Sequence, residues 1–523
     1  MDHLGTLLTL NARRAPDRIA IRMFDGPSIT YGALDRRSTK LANALLGSGM
    51  RPGERIGAWL GDCIEYVEVY FAAAKAGLLI VPINDRFKTE EARFQVQRTG
   101  ARGLVFWAPV APYLAGLLPS DDLKLLVGIG EGARDIYGVQ DYENLLDRGG
   151  EMLPPPPDEN SAFSICFTSG TTGFPKGATL SHRGLKNVAR TQAVALRLPM
   201  RAVNLQVASM AFPATFGSHI CSHMYVGGTT VLLDKREKDA TFLMRAIEQE
   251  GVSHFYLPTP LLRDFTALCA RDRSRWRSLA SVLHAGSRAD PQILAGLADV
   301  IQDRYLEGWG MSEVSGGIAT ATSTRDLLYQ NHAREFFASV GHPVPDTVIE
   351  IVDENRNPVP HDGETVGELA LHSSSVMLGY WGDEEASRQS LRDGWYYSGD
   401  LGRIDEAGYI YIVDRRPDLI VSGGMNIYPA ELERVIQGLP DVVECAVVAG
   451  PHERWGQTPV AYVVCTPGTR MSAEHVINAF SDKMAGYKKP TRIEFIDRLP
   501  RHPTTDKILR TVLRALAHAD QSK

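Results

Sequence analysis

Between Ser28 and Ile301 the chain switches repeatedly between two hydrophobic periods. Long stretches such as YGALDRRSTKLANALLGSG, IEYVEVYFAAAKAG and KTEEARFQVQRTG place apolar residues at helical spacing and close on glycine. Between them stand short apolar runs: RIGAWL, LLIVPIN and RGLVFW. Helices of period 3.6 alternating with brief buried strands predict β-α-β units, with a mostly parallel sheet and helices on both faces. The rhythm resumes beyond the proline tract EMLPPPPDEN with SAFSICF, TTVLLD, FLMRAIEQEG, VSHFYLP, LASVLHAG and PQILAGLADVI. From about Thr347 the pattern changes: TVIEIVD, VGELALHS and YIYIV alternate with turns and predict antiparallel β structure. The last hundred residues predict a small α+β unit built from PAELERVIQG, VVECAVVAG, TPVAYVVC, AEHVINAFSDKM and RIEFID. The expected class is therefore α/β, with a large N-terminal domain of α/β sheets, a β subdomain and a small α+β C-terminal domain. At about 150 residues per domain, 523 residues accommodate three or four such units.

Composition narrows the function. A hydrophobic share of 44% and a charged share of 23% fit a globular chain. A net charge of −6 offers no basic footprint, so no nucleic-acid partner is expected. The start, MDHLGTLLTLNARRAPDR, lacks the pattern of a signal peptide. The most apolar stretch, YFAAAKAGLLIVPIN, is broken by Lys75 and too short to cross a bilayer, so no integral membrane segment is expected. Six scattered cysteines without a C-x-x-C pair predict free thiols in a reducing, cytoplasmic setting.

The segment TSGTTGFPKG, Thr168 to Gly177, carries the first chemistry. Glycines let backbone N–H groups turn toward a guest, hydroxyls add donors, and Lys176 adds a mobile positive charge. That inventory suits a polyphosphate. It is not a P-loop, because Lys176 follows Pro175 and precedes Gly177. Nor is it a dinucleotide-binding G-x-G-x-x-G.

Four further motifs follow in order: GWGMSE (Gly308 to Glu313), YSGDLGRID (Tyr397 to Asp405), DRRPDLIVSGGMNIYPAELE (Asp414 to Glu433) and PTTDKILR (Pro503 to Arg510). With the glycine loop, this set resembles the acyl-adenylate-forming family of AMP-forming acyl-CoA synthetases, peptide-synthetase adenylation domains and firefly luciferase. The resemblance implies activation of a carboxylic acid by ATP to an acyl-AMP, with release of pyrophosphate, then transfer to coenzyme A. It also implies an adenylate-forming domain over 1–414, a hinge at 415–418 and a mobile C-terminal domain over 419–523.

The family's roles fall on definite residues here. Thr168, Ser169, Gly170, Thr171, Thr172, Gly173 and Lys176 would hold the β- and γ-phosphates. Gly286 and Ser287 would line the adenine and acyl side, and Glu307, Gly308, Trp309, Gly310 and Met311 would contact the nucleotide. Trp309 would stack on adenine. Ser312 would bond near the α-phosphate, and Glu313 would bind Mg²⁺. Asp400 and Arg415 would hold the ribose. Lys507 would reach the carboxylate and α-phosphate oxygens, and Gly423 and Gly424 would face the thiol. Phe212, Phe216 and Gly316 would line the acyl pocket, which lacks a cation for a second carboxylate. An apolar monoacid is expected, fatty before aromatic.

Three positions depart from the family's pattern. Pro417 occupies the hinge, where the usual residue is lysine or aspartate. Asp506 precedes Lys507 in place of glycine, and Ala214 stands where a gating histidine is common. His219 and His223, four apart, lack a third metal ligand and are expected to pack below the acyl pocket. RDRSRWRS is expected to be a solvated loop rather than an anion-binding patch. Two alternatives stay open: transfer to a carrier-protein phosphopantetheine, and a nucleotide-binding regulatory protein without catalysis. A homodimer is compatible with these readings.

Overall fold

The computed structural model describes residues 3–117, 122–133, 135–136, 138–168, 175–234, 239–286, 291–323, 338–415, 418–422, 425–452, 455–469, 471–480, 488–501 and 506–519. The chain divides into two compact units: residues 1–168, 175–349 and 371–396 form the first, and residues 350–370 and 397–523 belong to the second.

Among the described residues, two large sheets dominate the first unit. In one, the order is Gly379–Tyr380, Lys176–Ser181, Ala162–Thr168, Leu79–Ile83, Arg55–Trp59, Gly103–Trp107, Leu125–Ile129 and Val139–Asp141. Its central strands are parallel, as the β-α-β rhythm predicts. Ile56, Val81, Leu104 and Phe106 are wholly buried, which is the burial that a sheet covered on both faces demands. Lys75, the charge that interrupts the apolar stretch, is 1% exposed at its side chain. Its Nζ donates to the Asp35 carboxylate at 2.7 Å and to Ser38 and Thr39 hydroxyls at 2.9 Å. These bonds offset the desolvation that holds its pKa below the ordinary value.

The other sheet runs His342–Pro343, Ile318–Ser323, Tyr305–Gly310, Ser281–Ala285, His254–Tyr256, Val203–Gln206, Thr229–Leu232, Ile19–Met23 and Ser28–Thr30. Helices Ala240–Glu250, Leu262–Arg271 and Pro291–Ile301 supply Leu243, Phe265 and Leu297 to a core shared with Leu205, Phe255 and Val282. The arginine-rich stretch is not wholly solvated. Trp276 is 3% exposed and its indole donates to the Cys269 carbonyl at 3.0 Å, while Arg275 pairs with Glu248.

The second unit contains the antiparallel hairpin pairing Asp400 with Arg415 and Ile404 with Ile410. It also contains a sheet ordered Met425–Ile427, Ile420–Ser422, Gly456–Cys465 and Val442–His452, with Arg492–Phe495 beside Gly456–Cys465. Helix Pro429–Gln437 covers it through Leu432 and Ile436, both wholly buried. Around the proposed hinge, Asp418 receives Arg514 at 2.7 Å, and Arg510 donates to Glu433 at 2.7 Å. Arg416 and Pro417 lie outside the described residues. Among the described residues no helix is long and apolar enough to cross a membrane.

Candidate active site

Strands Ala162–Thr168 and Lys176–Ser181, which flank the glycine loop in sequence, pair antiparallel with Thr168 opposite Lys176. Strand Lys176–Ser181 forms because Gly177 to Ser181 are buried between two neighbouring strands. Ser181 then caps helix His182–Ala195 by accepting from the Gly184 N–H at 3.0 Å. Ser169, Gly170, Thr171, Thr172 and Gly173 lie outside the described residues; Thr168 and Lys176 are half-buried at the foot of the loop.

Strand Gly379–Tyr380 pairs with the outer edge of this strand pair, Tyr380 opposite Ala178. Its Trp381 N–H donates to the Gly177 carbonyl at 2.7 Å. Tyr380 links the two expected phosphate-side groups. Its hydroxyl donates to Glu313 Oε1 at 3.0 Å, and Lys176 Nζ stands 5.2 Å from its ring centroid. Burial, and then the Glu313 charge, raises the Tyr380 phenol well above its ordinary pKa, so it remains a donor. Glu313 lies in the turn Ser312–Val314 that ends strand Tyr305–Gly310, and its carbonyl accepts from the Met377 N–H at 2.8 Å. A cation, a phenol and a carboxylate are thus held by three different segments. Sequence reasoning missed Tyr380, because GYW carries no signal of its own and only the strand pairing brings it to Glu313.

Gly308, Trp309, Gly310, Met311 and Ser312 lead along that strand end; the last four are half-buried. The Trp309 N–H donates to Thr320 Oγ1 at 3.2 Å. Glu307 sits differently from its neighbours. It is 8% exposed, and its carboxylate takes the His284 imidazole at 2.8 Å and the Tyr305 hydroxyl. Those bonds leave it a structural anchor for the strand. Gly286 is exposed, and a Cβ there would lie 3.4 Å from the Tyr256 hydroxyl; Ser287 lies outside the described residues.

The acyl-wall residues separate into two kinds. Phe212 is half-buried. Phe216 is 1% exposed and stacks on Tyr70 at a centroid distance of 3.9 Å, so its ring belongs to the core. Gly316 has φ +72, and a Cβ would meet the Ala214 backbone N at 2.3 Å. Only glycine permits this approach of the turn after Glu313 to the segment carrying Phe212.

In the second unit, Asp400 is 3% exposed, and its N–H donates to Ser398 Oγ at 3.1 Å. Arg415 stands opposite it in the hairpin. Gly423 and Gly424 lie outside the described residues. Lys507 is exposed. The unusual Asp506 has φ 55, its carbonyl accepts from Arg501, and its carboxylate stands 3.6 Å from the same guanidinium. Its charge is directed at that arginine.

Among the described residues no group of three His, Cys, Asp or Glu is arranged to hold a metal ion. A half-buried carboxylate such as Glu313 fits Mg²⁺ nonetheless, since Mg²⁺ is commonly bound by one or two carboxylates plus substrate phosphates.

Comparison with known proteins agrees with this architecture. The model of the AMP-binding enzyme family matches residues 8–381, and that of the AMP-binding enzyme C-terminal domain matches residues 431–505. A feruloyl-CoA synthase of Amycolatopsis sp is 34% identical over 95% of this chain and 96% of its own. The fatty acid–[acyl-carrier-protein] ligase ScoC of Streptomyces coeruleorubidus is 30% identical over 98% of this chain and 96% of its own. The crystal structure of the anthranilate CoA ligase AuaEII in complex with anthranoyl-AMP superposes with a TM-score of 0.85 at 26% identity, covering 100% of this chain and 98% of that one. The chain belongs to the AMP-binding enzymes, the acyl-adenylate-forming family of ligases.

Proposed function

We propose that this ligase joins a carboxylic acid to coenzyme A in two steps. In the first, a carboxylate oxygen attacks the α-phosphorus of ATP; the P–O bond to the β-phosphate breaks and pyrophosphate leaves. In the second, a thiolate attacks the acyl carbon of the acyl-AMP, the bond to AMP breaks, and a thioester forms. Attack of one anion on another needs fixed positive charge and donors more than covalent help from the protein. The observation that carries this reading is the Lys176–Tyr380–Glu313 link at the strands flanking the glycine loop.

Lys176 and the loop from Thr168 would hold the outer phosphates, and Asp400 and Arg415 the ribose. Glu313 would hold Mg²⁺, which supplies charge neutralisation of the phosphate oxygens when bound. Tyr380 fixes the Glu313 carboxylate by donating to it. Lys507 would donate to the reacting carboxylate and α-phosphate, and Gly423 and Gly424 would face the thiol. The acid is a monoacid with an apolar body, fatty or aromatic; similarity to feruloyl-CoA, anthranilate-CoA and fatty-acid ligases supports that range.

A second reading, transfer to a carrier-protein phosphopantetheine, rests on similarity to ScoC. The deciding experiment incubates the purified chain with ATP, Mg²⁺ and a panel of monoacids, with coenzyme A or with a holo carrier protein. Acyl-CoA with AMP and pyrophosphate supports the proposal. Acylation of the carrier protein alone favours the second reading. Tight ATP binding without pyrophosphate from any acid leaves a regulatory nucleotide-binding protein.

A further inference from the structure

One face of the nine-stranded sheet breaks the rule for a doubly covered parallel sheet. Such strands are ordinarily apolar on both sides. Leu205, Phe255 and Val282 obey on one face. Strand register places Thr230, Asn204, His254 and Ser281 side by side, and alternation sends them to the opposite face. All four are buried: 1%, 1%, 0% and 4% exposed. Over them lie two more buried histidines. The His223 ring centroid is 5.3 Å from that of His254, and His219 is 6.5 Å from His254 and 5.8 Å from Tyr256.

Proton bookkeeping shows what this layer lacks. Ser281 Oγ donates to the Leu196 carbonyl, so it accepts from His254 Nδ1 at 2.7 Å, and His254 Nε2 is left as a lone-pair acceptor. His223 Nδ1 donates to the His219 carbonyl at 2.6 Å, and its Nε2 is a second acceptor. Both Nε2 atoms, Asn204 Oδ1, Thr230 Oγ1 and His219 Nδ1 are buried without a hydrogen-bond partner among the described residues. Burial keeps the three imidazoles neutral at pH 7, lowering His219 to about 4 and His223 to about 3, with His254 also depressed. The two Nε2 atoms and Asn204 Oδ1 can only accept, and buried acceptors without a partner carry their full desolvation cost, so the layer calls for a donor. It offers no charge for a second carboxylate, and no three-ligand metal arrangement occurs among the described residues.

The layer continues from the expected acyl wall. His219 lies in the π-helix Thr215–Cys221, a rare geometry frequent at functional sites. That helix starts where Ala214 is pressed against Gly316. Tyr256, beside His219, reaches the other wall by donating to the Ala285 carbonyl at 3.0 Å, next to Gly286.

We infer that His254, His223, His219 and Asn204 form the far end of the acyl subsite, and that the acid carries a hydroxyl or another hydrogen-bond donor remote from its carboxylate. The inference rests on the acid-activation reading above.

Matched acids test it in the unaltered protein: para-hydroxycinnamate against cinnamate, and ω-hydroxydodecanoate against dodecanoate, each with ATP, Mg²⁺ and coenzyme A. The expected result is a kcat/KM at least about tenfold higher for the hydroxylated member of one pair, because the parent acid leaves buried acceptors unpaired. In His223→Leu that preference collapses toward equality. Turnover of the parent acids with no hydroxyl preference overturns the inference, leaving ordered water as the occupant, and spares acid activation. No thioester from any acid overturns both. Should His223→Leu fail to fold, the wild-type comparison still decides.

Discussion

Replacing Tyr380 by phenylalanine removes the hydroxyl that donates to Glu313. The ring stays, and with it the contact to Lys176 at 5.2 Å and the pairing to Ala178; the donation to Glu313 at 3.0 Å is lost, together with the hydroxyl's weaker contacts to Tyr396 and Ser390. A hydrogen bond to a charged acceptor is worth about 1.5–3 kcal/mol. Tyr380 is half-buried, so water partly replaces its hydroxyl and the lower end applies. At about 1.4 kcal/mol per decade, kcat/KM for ATP should fall about tenfold. Acid-dependent pyrophosphate exchange, followed while MgATP is varied, measures this. The melting temperature should move by less than about 2 °C, because the global fold loses no packing. A Tyr380→Phe enzyme with wild-type exchange kinetics would show that Glu313 needs no such positioning, and the site argument built on it would fail.

Lys507→Ala should lose adenylation by roughly two to three decades, the cost of one transition-state donor, yet still convert supplied acyl-AMP to thioester; equal loss of both half-reactions contradicts its assigned role. Gly316→Ala should cost about 2 kcal/mol or more in urea unfolding, since a left-handed residue gains a Cβ 2.3 Å from backbone; wild-type stability would refute the close approach. Burial holds His182, His219 and His223 at about 3, about 4 and about 3, against 6.5 when exposed. The unfolded chain therefore takes up protons that the fold refuses. Stability is full above pH 6.5 and falls as pH drops toward 4, by about 1.4 kcal/mol per pH unit for each histidine. A urea midpoint no lower at about pH 5.5 than at about pH 7.5 would contradict this.

The α/β rhythm was legible because buried parallel strands and amphipathic helices write different periods, as RIGAWL and IEYVEVYFAAAKAG do. Strand Lys176–Ser181 was missed because KGATLS has little apolar content; its neighbours on both sides make it a strand. Glu307 looked like part of the nucleotide strand end, but alternation turns it to the side of His284 and Tyr305. Tyr380 and the polar row of Thr230, Asn204, His254 and Ser281 depend on strand order. Polar residues at alternate positions in VNLQ and SHFY are visible in the sequence, but their assembly into one layer is not.

Acid-dependent exchange of labelled pyrophosphate into ATP tests the first chemical step by itself, with no thiol present. Exchange should appear with at least one monoacid, require Mg²⁺, and yield AMP rather than ADP once a thiol is added. An acid panel that supports no exchange, or a product of ADP and phosphate, would contradict the formation of a mixed acyl–phosphate anhydride in this chain.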